Sequence, residues 1–146
     1  DVQRWFVSDP LYSVQVHAAP SAPDAVLGPS QALLGSGAGS ASYVPLLLPF
    51  RFPLYMQFVE RLYVSPSGLL STSVVLSGSH TAGVLGSTAA PNGLIAPFWD
   101  DLVCGGPCSV SVSFGQLDGV GVAAVRFRNL SFADGSLAEK PVSFEA

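Results

Sequence analysis

Charged residues are scarce in this 146-residue chain. Asp, Glu, Lys and Arg together make up 11% of it, whereas soluble domains carry about 25%. Only six residues are basic, and they are scattered apart from Arg126 and Arg128. Binding to a phosphate backbone requires a basic stripe or patch, so the composition excludes nucleic acid as a partner. It also predicts a surface covered largely by Ser and Gly, by glycans or by neighbouring protein.

Long apolar runs are also missing. A membrane-spanning helix requires about 20 consecutive apolar residues, and the longest run here, the leucines at 46–48, is bracketed by Pro45 and Pro49. The first residues carry no basic and apolar leader of the kind that forms a signal peptide. Because the chain also ends at Ala146 within a predicted strand, we expect a segment of a longer, processed protein that does not itself span a membrane.

Helical periodicity is absent over any segment longer than two turns. Residues 109–114 instead alternate Ser with Val or Phe, which is the period-two pattern of a half-buried strand. Similar short segments at 44–52, 59–64 and 120–127 are separated by turn sequences. One of these is Ser-Pro-Ser-Gly at 65–68, whose Pro and Gly positions favour a type I turn. The pattern predicts an all-β fold, an antiparallel, jelly-roll-like β-sandwich.

The first 42 residues differ from the rest. Residues 12–16 predict a strand, whereas residues 18–40 are rich in Ala, Pro, Ser and Gly and resist regular structure. We therefore divide the chain into an N-terminal strand with an irregular arm or linker at 1–42, and a β-sandwich module at 43–146. Trp5 gives the arm an apolar anchor, which predicts that the arm packs over the module or against a neighbouring chain.

Several sequence blocks occur in an order that resembles a known family of extracellular modules. The sequence LPFRFPLY at 48–55 looks like the LPFxFPFYG segment of nidogen-type (NIDO) and plexin-domain-containing ectodomains. The sequence GLIAPFWDDL at 93–102 is similar to their IAPFWxDx box. Shorter blocks follow in the expected order at 62–70, 122–130 and 142–144. The resemblance implies an extracellular, disulfide-tolerant β module of matrix, adhesion or surface-coat proteins, without known catalysis.

Three positions depart from the family pattern. Met56 replaces the usual Gly after Tyr, and Ser67 replaces Asn before Gly68. Phe127 or Val125 occupies a position where Trp is common. These departures leave the predicted fold unchanged.

Only two cysteines are present, Cys104 and Cys108. They frame Gly-Gly-Pro between two predicted strands, and in an oxidising compartment a disulfide would close this loop. The chain-entropy treatment gives so small a ring about 2 kcal/mol of stabilisation. Free thiols or a metal site are the alternatives, although zinc prefers four ligands and neither His17 nor His80 has a ligand-spaced neighbour.

Asp100 and Asp101 form the most site-like pair of the sequence. Consecutive carboxylates after Trp99 supply oxygen donors, which Ca²⁺ prefers. Consecutive strand residues, however, point to opposite faces of a sheet. The alternative is therefore a turn or bulge in which one Asp caps backbone N–H groups. We favour the turn, predict no firm metal site, and keep both residues as weak Ca²⁺ candidates.

No arrangement of residues indicates catalysis. The serines lack a Gly-x-Ser-x-Gly elbow, and neither histidine lies in a triad setting. The Gly-rich residues 35–39 lack the Lys and the strand-to-helix frame of a phosphate-binding loop. We therefore expect neither enzymatic activity nor a cofactor.

Asn129 begins an Asn-Leu-Ser triplet, the acceptor sequence for N-glycosylation. Strict strand alternation would place Asn129 on the inward side with Phe127, which argues against a glycan. A bulge after Arg128 would turn the side chain outward. Both orientations remain open from the sequence, and Asn129 is a candidate glycosylation site.

The combined pattern favours a non-catalytic, extracellular or cell-surface module with a structural or adhesive function. Its expected partners are other protein chains or neighbouring domains of the same protein. Binding would use surface complementarity and strand addition at an exposed sheet edge, with Trp5, Tyr55 and Tyr63 as candidate interaction residues. The alternative is a carbohydrate-binding, lectin-like module that uses exposed aromatic rings assisted by Ca²⁺.

Overall fold

A computed structural model of the chain describes residues 27–74, 93–117, 119–135 and 141–146. The strand predicted at 12–16 and the anchor at Trp5 lie outside the described residues, as do both histidines. Within the described ranges the chain forms strands and no helix, and the strands assemble into two antiparallel sheets. The prediction of an all-β sandwich is confirmed.

Nine strands occur in the described part of the chain. Their bounds are β1 (Gln31–Leu34), β2 (Val44–Leu54), β3 (Gln57–Ser65), β4 (Leu69–Ser71), β5 (Leu94–Ile95), β6 (Leu102–Val103), β7 (Ser109–Leu117), β8 (Val120–Phe132) and β9 (Val142–Glu145).

The strands divide into a β8 sheet and a β3 sheet. The β8 sheet has the order β1-β7-β8-β6, with β9 also paired to β8, and the β3 sheet has the order β2-β3-β4-β5. The long β7–β8 hairpin pairs in continuous register from Ser109 with Arg128 to Leu117 with Val120. The β2–β3 hairpin is interrupted by a shift in register between Leu47 and Phe52.

The core lies between the two sheets because both hairpins alternate their side chains. Val110 and Val112 on β7 are fully buried, whereas the intervening Ser111 is half-buried. Leu62 and Val64 on β3 are buried in the same cluster. Leucine, valine and phenylalanine from the two inner faces thus form one dry layer, as two facing sheets require. The full set of buried members is Leu46, Leu54, Leu62, Val64, Leu70, Leu102, Cys104, Val110, Val112, Val125, Phe127 and Leu130.

The structure adds two features that the sequence patterns did not predict. Residues 31–34, counted with the arm, form β1 and pair with β7, and Ala38 makes a further bridge to Cys104. The apolar segment at 94–102 splits into β5 and β6, which belong to different sheets. Pro97 lies between them and has no N–H to donate to a ladder. The segment therefore crosses from one sheet to the other instead of continuing as one strand.

The Ser-Pro-Ser-Gly turn at 65–68, called the central turn below, is buried along its whole length. Its closing bond runs from the Gly68 N–H to the Ser65 carbonyl at 3.1 Å. The hydroxyls of Ser65 and Ser67 both donate to the Ser40 carbonyl, at 3.2 and 2.7 Å. The Asp100 N–H donates to the Ser67 carbonyl at 3.2 Å. The turn therefore holds two distant segments by hydrogen bonds that water cannot easily replace.

Gly68 brings the central turn into contact with both sheets. Its φ of 76° lies in the left-handed region, and a Cβ there would collide with the carbonyl of Phe98. The same Cβ position lies 3.1 Å from the Phe144 ring. Phe144 on β9 stacks on Phe127 of β8 with ring centroids 4.4 Å apart, and it lies 5.4 Å from the Phe98 ring. Only glycine fits where these backbones and rings meet.

Replacing Gly68 with Ala should therefore destabilise the fold more than its backbone angle alone requires. Gly119 is a matched control because its φ is 81° and a Cβ there would meet nothing within 4 Å. We expect Gly119→Ala to lower the free energy of unfolding by about 1 kcal/mol and Gly68→Ala to lower it by about 3 kcal/mol or more. Urea unfolding measures both, and equal losses would contradict the close packing at Gly68.

Candidate functional site

The outer face of the β2–β3 hairpin presents large apolar side chains to solvent. Leu47 and Phe58 are each more than three-fifths exposed, and Met56 at the turn is fully exposed. We call this set the hairpin surface. Its exposed members are Tyr43, Leu47, Tyr55, Met56 and Phe58, and the half-buried Tyr63 lies beside Tyr43.

Contacts across the hairpin fix the arrangement of these side chains. Tyr43 and Tyr63 meet edge to face, with centroids 5.9 Å apart and planes at 80°, a geometry that aromatic pairs prefer. The Arg51 guanidinium lies 4.8 Å from the centre of the Phe58 ring. Its Nε is 3.6 Å from the Glu60 carboxylate. Arg51 is thus paired with an anion, and the exposed Arg61, which lies opposite Leu47 in the register, adds a second cation to the hairpin.

The tip of the hairpin has an unusual backbone. Tyr55 and Met56 connect the Leu54–Gln57 pair, and both have positive φ, 48° and 61°. Two-residue hairpin turns with this geometry favour Asn-Gly, and a bulky residue in the left-handed region costs about 1–2 kcal/mol. The Tyr55 hydroxyl donates to the Leu94 carbonyl on β5 at 3.1 Å. Tyr55 is thereby held against its own sheet, while Met56 projects from the tip.

The Cys104–Cys108 loop lies at the junction of β6 and β7. The two residues form a disulfide with Cα atoms 5.5 Å apart, which is the pairing that the sequence favours. Cys104 is fully buried. Its N–H donates to the Ala38 carbonyl at 2.8 Å, and the Gly37 N–H donates to the Cys104 carbonyl at 2.7 Å. The loop therefore fastens the segment before β2 to the edge of the β8 sheet.

Asn129 lies in the outward orientation that a bulge requires. The β8–β9 pairing shifts between Phe127 and Leu130, and Asn129 has a φ of 54° and is exposed. Its backbone N–H donates to the Ser143 hydroxyl at 3.0 Å. Its side-chain Nδ2, the atom that carries a glycan, donates to the Pro107 carbonyl at 3.2 Å. The strict alternation that would bury Asn129 is broken at this point.

Asp100 and Asp101 form a local turn that enters β6. The Asp100 carboxylate accepts from the Asp101 N–H at 2.8 Å, which is the capping that the sequence favours. The Ala133 N–H donates to the Asp101 carbonyl at 2.8 Å, whereas the Asp101 Oδ1 is buried with no hydrogen-bond partner. Among residues that the structure describes, no group of three or more His, Cys, Asp or Glu could hold a metal ion.

The predicted site residues are distributed over several parts of the molecule. Tyr55 and Tyr63 both belong to the hairpin surface, but Trp5 lies outside the described residues. Met56 and Phe58, the most prominent apolar groups of this surface, were missed by sequence reasoning. The sequence did distinguish Met56, because Met stands there in place of the Gly of the family pattern. No sequence feature distinguished Phe58, because the register shift in the hairpin prevents strand alternation from predicting which face of the sheet it occupies.

A membrane-crossing helix does not occur in the ranges that the structure describes. The architecture there is instead that of a two-sheet antiparallel β-sandwich module, fastened by one disulfide. Comparison with known families matches residues 24–143 to the family described as NIDO related. The chain belongs to the NIDO-related family. No curated protein and no solved structure matched the chain.

Proposed function

We propose that this module is a non-catalytic, extracellular interaction domain that binds another protein chain through the hairpin surface. The observation that carries the proposal is the set of exposed apolar side chains on one face of one hairpin. Aromatic residues and Met are enriched in protein interfaces. The chain has few charges. The buried serines of the central turn stabilise the fold by donating hydrogen bonds to the Ser40 carbonyl.

The family and the disulfide together support an extracellular location. Both cysteines of the chain are joined in the Cys104–Cys108 bond, and such bonds persist mainly in oxidising compartments. The family to which the chain belongs is described as NIDO related, and the nidogen-type modules that the sequence resembles are extracellular. An adhesive or structural function in a surface or matrix assembly is consistent with both observations.

Of the two modes of binding, we favour surface complementarity over the addition of a partner strand at the β2 edge. β2 is the edge strand of the β3 sheet and carries Pro45, Pro49 and Pro53. Proline cannot donate a backbone hydrogen bond to an added strand, and natural edges use it to prevent such pairing. A strained turn that holds Met56 outward gives the partner a side chain to enclose.

Replacing Met56 with Gly should weaken binding without lowering the stability of the module. Glycine adopts a φ of 61° without strain, so we expect the free energy of unfolding to stay constant or rise by about 1 kcal/mol. Binding should weaken about tenfold because an apolar contact residue is lost. Flow cytometry with tagged module on cells of the source organism measures binding, and urea unfolding measures stability.

Val120 provides the matched control, since it is 66% exposed but lies on the β8 sheet. Val120→Ser should leave cell binding unchanged. Protease treatment of the cells should abolish binding, and glycosidase treatment should not. Equal binding by Met56→Gly and the unchanged module would refute the hairpin surface as the docking face. Loss of binding after glycosidase alone would favour the carbohydrate-binding alternative.

We also propose that Asn129 carries an N-linked glycan when the chain passes through a eukaryotic secretory pathway. Its outward, bulged position leaves room for the sugar. Ser131→Ala should abolish a mass increase that peptide N-glycosidase removes, whereas Ser131→Thr, which retains the acceptor triplet, should preserve it. Mass spectrometry of the secreted protein makes the comparison. An unmodified Asn129 in the unchanged protein would contradict this assignment.

A further inference from the structure

A cavity of about 290 Å³ lies between the two sheets at one end of the sandwich. Inward-facing side chains of β2 form one wall, including Leu48, Phe50 and Phe52, and β8 forms the opposite wall from Gly121 to Val125. Leu62 and Leu70 are buried, most other lining residues, including Phe50 and Gly121, are half-buried, and Ala146 is exposed. The cavity is therefore partly open to solvent.

Small residues on β8 let the large side chains of β2 approach that strand closely. Gly121 and Ala123 face the large side chains of β2 across the gap. A Cβ at Gly121 would lie 2.6 Å from Cδ1 of Phe50, so this ring occupies the space that a larger residue would need. Sandwich cores are usually packed without voids larger than a water molecule. A space of this size between the sheets is therefore a distinctive feature of this sandwich.

The lining selects against water and against charged ligands. No residue lining the cavity has an ionisable side chain, and its side chains are Leu, Phe, Ile, Val and Ala. A water molecule needs about two to four polar partners, which this lining does not supply, whereas an apolar chain fits it. A charged or polar group of a ligand would therefore remain at the solvent-exposed rim of the cavity.

The dimensions of the cavity favour a chain rather than a compact ring. The inward positions of β2 from Leu46 to Phe52 all contribute to it, and at about 3.3 Å per residue they span about 20 Å. An engineered cavity of about 150 Å³ holds one benzene molecule. By that comparison the present volume accommodates about twelve carbon atoms.

We propose that this cavity binds the hydrocarbon chain of a free, single-chain amphiphile such as a medium-chain fatty acid. The site uses the inner face of β2, whereas the hairpin surface uses its outer face. The two proposals are therefore independent, and failure of one leaves the other standing.

The test is a titration of the full chain with dodecanoate, followed by calorimetry and by methyl NMR. We expect saturable one-to-one binding with a negative heat-capacity change, and chemical-shift changes at the methyl groups of Leu48, Leu62 and Ile95. Ala123→Leu fills the cavity from β8 and should weaken binding at least tenfold. Ala133→Leu, the same change at an exposed position, should leave binding unchanged. Circular dichroism verifies folding, and Ala123→Val replaces Ala123→Leu if the larger residue prevents it.

Three results would overturn the proposal. The first is no saturable binding of dodecanoate, including the case in which the module binds only phosphatidylcholine vesicles. The second is equal binding by folded Ala123→Leu or Ala123→Val, because the ligand would then lie elsewhere. The third is a set of nuclear Overhauser contacts in the ligand-free protein between the lining methyl groups and Trp5 or Phe6, because the chain would then fill its own cavity.

Discussion

The buried central turn is the constraint on which the rest of the structure depends. A turn exposes backbone and side-chain polar groups, and burial without partners would cost about 1–3 kcal/mol for each of them. Here the Ser40 carbonyl receives both serine hydroxyls, and the Asp100 N–H binds the Ser67 carbonyl. The turn can be buried only when segments far apart in sequence are in place together. This requirement couples the strands of the two sheets.

Three of the sequence blocks that carry the family resemblance meet at this turn. The block at 62–70 contains the turn, the block at 93–102 supplies Phe98 and Asp100, and the block at 142–144 supplies Phe144. Their shared order along the chain thus reflects one packed junction in space. The tip of the β2–β3 hairpin, where Met56 replaces the Gly of the family pattern, lies outside this junction.

Sequence patterns anticipated the parts of the structure that depend on local chemistry. Alternation at 109–114 predicted β7, the Ser-Pro-Ser-Gly sequence predicted the turn, and the spacing of the two cysteines favoured their disulfide. The sequence could not predict the shift in register between Leu47 and Phe52, because a bulge is decided by packing on the facing sheet. For the same reason it gave no indication of the cavity opposite Gly121, which depends on two strands that are distant along the chain.

Native-state hydrogen exchange of the amides of Gly68 and Asp100 tests the central claim most directly. If the central turn couples the two sheets, these amides open only when the whole domain unfolds. Their exchange free energies should then lie within about 1 kcal/mol of those of the slowest amides on β7 and β8. Exchange at free energies about 3 kcal/mol or more below that level would show that the turn opens locally. The account given for the junction would then be contradicted.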